Sequence, residues 1–166
     1  DGLATSMPLL IVGAFFLIPA FPPVPEWDAA VEPFRDILLV PTDITIGLLS
    51  IYAAFNIAFM LATRYETDPI QCGLISLASF LIMVAPITEA NYLDATGLFT
   101  AILIGIITPE VYRFFKTRGA LVRMPPGVPP AVTMAFRGLV PASFMFVFIW
   151  LVRWVLEWDV PTIIYT

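Results

Sequence analysis

The run Ile44–Thr63, ITIGLLSIYAAFNIAFMLAT, is followed by Arg64-Tyr65-Glu66-Thr67-Asp68 and then by Pro69–Thr88, PIQCGLISLASFLIMVAPIT. Two stretches of 20 uncharged residues thus stand back to back, separated by five residues that carry three charges. A helix of about 20 apolar residues, rising about 1.5 Å each, crosses roughly 30 Å of bilayer hydrocarbon. So short a link between two such stretches predicts an antiparallel helical hairpin in a membrane. Asp68-Pro69 supplies an N-cap followed by proline at the first helical position, the expected start of the second helix.

Outward from this hairpin, further uncharged stretches lie at Leu3–Phe21, Ala95–Pro109 and Gly138–Val152. The last two hold 15 residues each and need their flanks to span. Val111, Tyr112, Phe114 and Phe115 lengthen one and Val155 and Leu156 the other, while Arg113, Arg137 and Arg153 snorkel to the headgroups. An all-α integral membrane protein of five spanning helices is expected. The whole composition agrees: 60% of the 166 residues are hydrophobic and 13% charged, against about 25% charged in soluble domains. A soluble fold of this length cannot cover so much apolar surface, and a disordered chain needs the opposite balance.

Other counts remove functions. The chain has no histidine and one cysteine, Cys72, so imidazole sites, thiolate clusters and Ser-His-Asp chemistry are excluded, and neither metal nor cofactor is expected. The net charge is −5 with no basic stripe, which argues against nucleic acid.

Charge placement orients the spans. Glu26, Asp28, Glu32, Asp36 and Asp43 with one base, Arg35, lie between spans one and two; Glu89 and Asp94 lie between three and four. The opposite side holds Arg64, Arg113, Lys116, Arg118, Arg123 and Arg137. The positive-inside rule places those bases, and the N-terminus, in the cytoplasm. Trp27, Trp150, Trp154 and Trp158 then fall at the outer boundary as an aromatic belt. Asp94 is positioned to cap span four. Thr108-Pro109-Glu110 reads either as a kink in one helix or as a break before a new one ending near Gly119. Met124-Pro125-Pro126-Gly127-Val128-Pro129-Pro130 forms no regular helix; it reads as a stiff cytoplasmic connector, with Pro130 starting span five.

Two stripes of small residues stand out: Ser50, Ala54, Ala58 and Ala62 in span two, and Gly97, Ala101 and Gly105 in span four. Residues four apart share a helix face, and small ones let backbones approach. The stripes read either as a homodimer seam or as packing within the chain. Asn56, mid-span and off the stripe, reads as an interhelical hydrogen-bond group or as a weak substrate-pathway candidate. Cys72 in the first turn of span three reads as a thiolate-favouring site or as a buried filler. Arg153 and Glu157 form an i,i+4 pair. No acid or base lies deep in a span, as ion-coupled pathways require, and no catalytic constellation appears.

The proline-rich run Met124–Pro130 with Ala131-Val132, Phe136 and Val140-Pro141 resembles a known pattern. So do Asp1-Gly2 with Thr5, Met7-Pro8 and Ile11-Val12-Gly13; Gly47, Ala53–Ala58, Tyr65, Asp68-Pro69, Gly73-Leu74 and Ser76–Leu81; and Gly97-Leu98-Phe99, Ala101-Ile102 and Glu110–Phe115. Together they resemble the membrane subunit, enzyme IIC, of the bacterial phosphotransferase system, in its lactose/cellobiose/diacetylchitobiose branch. Pro126 stands where that family often has Asp, and Ala135 where it often has Ser. The resemblance implies an N-terminal interface domain, residues 1–166, of a longer bacterial inner-membrane permease that begins before Asp1 and continues past Thr166. It implies a homodimer, a IIB protein (and behind it IIA) as phosphoryl donor, and a disaccharide substrate. The sugar-binding glutamate and histidine of the family would lie beyond this chain. Scaffold and dimer interface are therefore the roles expected here. The rival is a five-span membrane assembly protein without transport activity.

Overall fold

The computed structural model describes residues 2–23, 25–85, 92–122, 127 and 129–156, and among these every regular element is helical. In chain order they are α1 (Met7–Phe15), α2 (Leu17–Ala20), α3 (Pro25–Val31), α4 (Arg35–Thr45), α5 (Leu49–Arg64), α6 (Pro69–Val84), α7 (Leu98–Thr117), α8 (Pro130–Arg137) and α9 (Leu139–Leu156). Short 3-10 turns at Ala4–Ser6, Glu32–Phe34 and Ala95–Gly97 lead into α1, α4 and α7.

The expected hairpin is α5–α6. Its turn closes because Thr67 N–H donates to Ala62 O (3.0 Å) and Glu66 N–H to Thr63 O (3.2 Å), the paired bonds of a Schellman C-cap. Glu66 takes the left-handed position with φ +52°, where glycine is usual. α7 packs along both helices, and α9 against α6 and α7. Apolar side chains from all four, including Phe80, Ile104, Met145 and Ile149, fill the core. The outward faces stay apolar as well: Ile70 is 64% exposed and Trp154 66%. Apolar residues inside and out fit a bundle whose solvent is lipid.

The acidic segment after span one departs from expectation. It is largely helical, and Glu32–Arg64 forms a 33-residue helical stretch, with a turn between α4 and α5, long and apolar enough to cross a bilayer. The uncharged window begins at Ile44 because Asp43 interrupts it. A charge ends an apolar run but not a helix, so the helical stretch starts earlier and the α4–α5 turn falls inside the expected boundary. α4 pairs with α1 and α2 as a second hairpin. Thr42 Oγ1 donates to Gly13 O at 2.9 Å, and a Cβ on Gly13 would lie 1.7 Å from Thr45 Oγ1. Arg35 ties the far end, its Nε donating to Ala20 O at 3.1 Å and its guanidinium pairing with Asp28.

Ala95–Thr117, 23 residues, is the second stretch long enough to span; Ala4–Ala20, Pro69–Val84 and Leu139–Trp154 are shorter apolar helices. α7 runs unbroken through Pro109, which decides between kinked helix and break in favour of one helix. Pro109 lacks the N–H that Gly105 O would accept. Thr108 Oγ1 makes a neighbouring bond to Ile104 O at 2.8 Å. Pro130 opens α8, a separate eight-residue helix, rather than span five. The apolar helix expected as span five, α9, begins at Leu139 after Gly138, where Gln71 packs so closely that a Cβ would lie 1.8 Å from its Oε1.

Candidate functional site

The small-residue stripes meet inside the chain. Ser50, Ala54, Ala58, Ala62 and Ala101 are all 0% exposed. A Cβ on Gly105 would lie 3.1 Å from Ile57 Cβ and 3.4 Å from Ala54 O. Ser76 Oγ of α6 donates to Ala54 O at 2.8 Å, so three backbones converge on the stripe of α5. Of the two readings, packing within the chain is the one these positions occupy. Ser50 also fixes the other end of α5: its Oγ donates to Asp94 O and its N–H to Leu93 O at 3.0 Å. Asp94 caps Ala95–Gly97, accepting from Thr96 N–H at 2.8 Å.

Asn56 has a partner. Its Nδ2 donates to Ser6 Oγ at 2.8 Å, and Ser6 is 3% exposed. The bond joins α5 to the start of α1, which is the interhelical role. Cys72 is fully buried, and the first turn of α6 receives it as a filler beside Thr67 (Sγ–Oγ1 3.9 Å).

Asp68 is at the N-cap position of α6, but its side chain makes no cap hydrogen bond. It accepts instead from Tyr112 Oη of α7 at 2.6 Å. The buried phenol needs an acceptor, and α7 brings it to the hairpin turn. Arg153 also reaches across to another helix. Its Nη1 donates to Ile82 O (2.8 Å) and Met83 O (3.2 Å), carbonyls of the last turn of α6 that have no partner within the helix. Its expected mate Glu157 lies outside the described residues, as do Trp158, Glu89 and Arg123.

The end of the bundle that carries the bases is tied by a polar seam the sequence reading did not connect. Tyr65 Oη donates to Glu110, Arg113 lies 4.8 Å from the Tyr65 ring centroid, and Lys116 Nζ donates to Glu66 O. Donating to the Glu110 carboxylate raises the Tyr65 phenol above its ordinary pKa of 10.0. The missed signal is the spacing Glu110, Arg113, Lys116: residues three apart share one helix face, and that face meets the α5–α6 turn. Behind it Asp68, Lys116, Thr133 and Arg137 line a cavity of about 490 Å³ between the α6 start, the α7 end and α8. Of the family-motif residues, Met124, Pro125 and Val128 lie outside the described residues. Gly127 takes φ +109°, and Pro129 (φ −55°, ψ 141°) holds a polyproline-like conformation before Pro130 starts α8. Among the described residues no three His, Cys, Asp or Glu side chains gather as a metal site.

A helical bundle apolar within and without, charged chiefly at its ends, defines an all-α membrane protein. The family model described as "Phosphotransferase system, EIIC" matches residues 1–160, and the chain belongs to that family. It is 35% identical to the PTS system cellobiose-specific EIIC component of Geobacillus stearothermophilus and 34% identical to the lichenan permease IIC component of Bacillus subtilis (strain 168). Each match covers 95% of this chain and 40% of the relative. The crystal structure of the transporter ChbC, the IIC component from the N,N'-diacetylchitobiose-specific phosphotransferase system, superposes with a TM-score of 0.85. It is 32% identical, over 95% of this chain and 41% of that one. The chain thus spans about two fifths of the length of these relatives.

Proposed function

We propose that residues 1–166 form the N-terminal, five-span portion of a phosphotransferase-system permease in a bacterial inner membrane. Its substrate is a disaccharide of the cellobiose, diacetylchitobiose or lactose type, phosphorylated on entry by a IIB protein that IIA recharges. This portion is the scaffold and dimer interface. The observation that carries the reading is the family match across nearly the whole chain. The character of the core supports the scaffold role: apart from Tyr112 and Cys72, its buried polar side chains among the described residues are Ser or Thr, and it holds no buried Asp, Glu, Lys or Arg of the kind that intramembrane ion or proton paths use. The end carrying Arg64, Arg113, Lys116 and Arg137 faces the cytoplasm.

The test is phosphoenolpyruvate-dependent accumulation of labelled cellobiose by the protein as its gene encodes it, expressed in a strain lacking its own permease, with and without the cognate IIB. Uptake that needs both proteins is expected. Absence of uptake by well-folded protein, with stable co-purification of another membrane protein, would favour the assembly-protein rival. In a Cys72→Ser background, Thr67→Cys should react with impermeant maleimide only from the inside and Asp28→Cys only from the outside.

A further inference from the structure

We infer that the cavity behind the α5–α6 turn is a binding site for a phosphorylated disaccharide, the product of the reaction proposed above, and the inference rests on that reading. Its volume of about 490 Å³ lies within the usual range for small-molecule sites, about 300–1,000 Å³, and is far larger than a bare phosphate needs. Lys116 and Arg137 line it from two different helices, and Asp68 and Thr133 complete its polar wall. Two cations against one carboxylate leave a net positive charge facing the space. That suits a phosphate monoester, which carries about −1.5 to −2 at pH 7.

The carboxylate selects further. Asp68 uses Oδ2 to accept from Tyr112, and a carboxylate has capacity for more than one donor. An oxyanion alone gains nothing from that oxygen and is repelled by it. A ligand with hydroxyls beside its phosphate satisfies both ends: phosphate on Lys116 and Arg137, hydroxyls donating to Asp68 and exchanging a bond with Thr133. Lys116 keeps two N–H donors for the ligand after its bond to Glu66 O. Those same bonds hold two walls, since Lys116 anchors the turn and Asp68 anchors Tyr112 of α7. Binding therefore needs little rearrangement on that side. The wall formed by Leu121 and Val122 gives an apolar surface for a sugar ring.

The experiment is isothermal titration calorimetry on the protein as its gene encodes it, purified in detergent, with cellobiose 6-phosphate, cellobiose and inorganic phosphate as probes. Saturable binding of the sugar phosphate is expected, tighter than that of inorganic phosphate. Lys116→Gln and Arg137→Gln should each weaken it about tenfold or more, Thr133→Val less, and Leu121→Trp should abolish it by filling the space. Cellobiose affinity should be unchanged by all four. No binding of the sugar phosphate, equal binding by wild type and the two charge variants, or inorganic phosphate binding as tightly as the ester would each overturn the inference. Cellobiose uptake separates this from the function proposed above: intact uptake with any of those outcomes sinks the cavity alone, and lost uptake in the wild type sinks the permease reading.

Discussion

The phenol of Tyr112 donates to the Asp68 carboxylate at 2.6 Å, 44 residues away in sequence, and so ties the α7 span to the start of α6. The bond takes the place of the N-cap that Asp68 is positioned to make. Tyr112→Phe keeps the packing of a fully buried ring and removes only the donor. A hydrogen bond to a charged group contributes about 1.5–3 kcal/mol, part of which Asp68 recovers by turning back to cap α6. A loss of roughly 1 kcal/mol is expected in thermal or denaturant unfolding in detergent. Asp68→Ala, which removes both options, should cost more than Tyr112→Phe.

Glu66 offers a gain. A non-glycine residue in the left-handed region costs roughly 1–2 kcal/mol, and Glu66 sits there at φ +52° as the closing residue of the α5 C-cap. Its backbone carbonyl, not its side chain, receives Lys116. Glu66→Gly should therefore raise the unfolding midpoint while leaving that contact in place, by about 1 kcal/mol at most once the added freedom of the unfolded chain is counted. Glu66→Val should lower it.

Tyr65 gives the seam a titration signature. Its phenol donates to Glu110, which raises its pKa above 10.0. In the unfolded chain the phenol ionises near 10.0, so the contribution of this bond is fully present below that pH. It is lost as pH rises from 10.0 through the folded value. Ultraviolet titration of wild type against Tyr65→Phe should show the missing phenol ionising later than 10.0, and Glu110→Gln should move it back down. Ionisation at or below 10.0 in the wild type would mean the bond is not formed in solution.

The four-residue spacing of small residues and the five-residue link at Arg64–Asp68 made the α5–α6 hairpin and the face of α5 legible beforehand, because periodicity and length act locally. The α4 helix was not, since Asp36 and Asp43 break an apolar count without breaking a helix. The partners of Asp68 and Arg153 were not either. Local rules offered Asp68 an N-cap, but its side chain is drawn to α7, and Arg153 reaches the carbonyls at the end of α6, a contact that no local rule names. Which distant group wins depends on the register between helices, which one chain's pattern does not encode. The polar seam had a local trace in Glu110, Arg113 and Lys116, but nothing in their spacing names the turn they meet.

Gly105 tests the packing of the two stripes. A Cβ there would sit 3.1 Å from Ile57 Cβ and Cγ2, so Gly105→Ala asks Ile57 to shift slightly and Gly105→Val asks for more than the contact can give. Overpacking of this kind costs about 1–3 kcal/mol. Trimming the opposing side chain should restore part of it, and Ile57→Ala combined with Gly105→Val should be more stable than Gly105→Val alone. Strictly additive losses would place the two residues out of contact.

Asn56 decides between a structural amide and a substrate-pathway group. Its Nδ2 donates to Ser6 Oγ at 2.8 Å, joining α5 to the first turn before α1. Interhelical polar bonds in membranes average about 0.6 kcal/mol and reach about 1.7, so Asn56→Leu should destabilise by that modest amount. Ser6→Ala should cost a similar amount, and the double variant little more than either, because both single changes remove the same bond. Ser6→Ala leaves the Asn56 amide in place, so a pathway role for Asn56 predicts that only the Asn56 variant slows cellobiose uptake. The hydrogen-bonded arrangement predicts instead that the two variants behave alike in both stability and uptake, with uptake per folded molecule close to wild type. A defect confined to Asn56→Leu at unchanged stability would move this residue from the framework to the sugar's path.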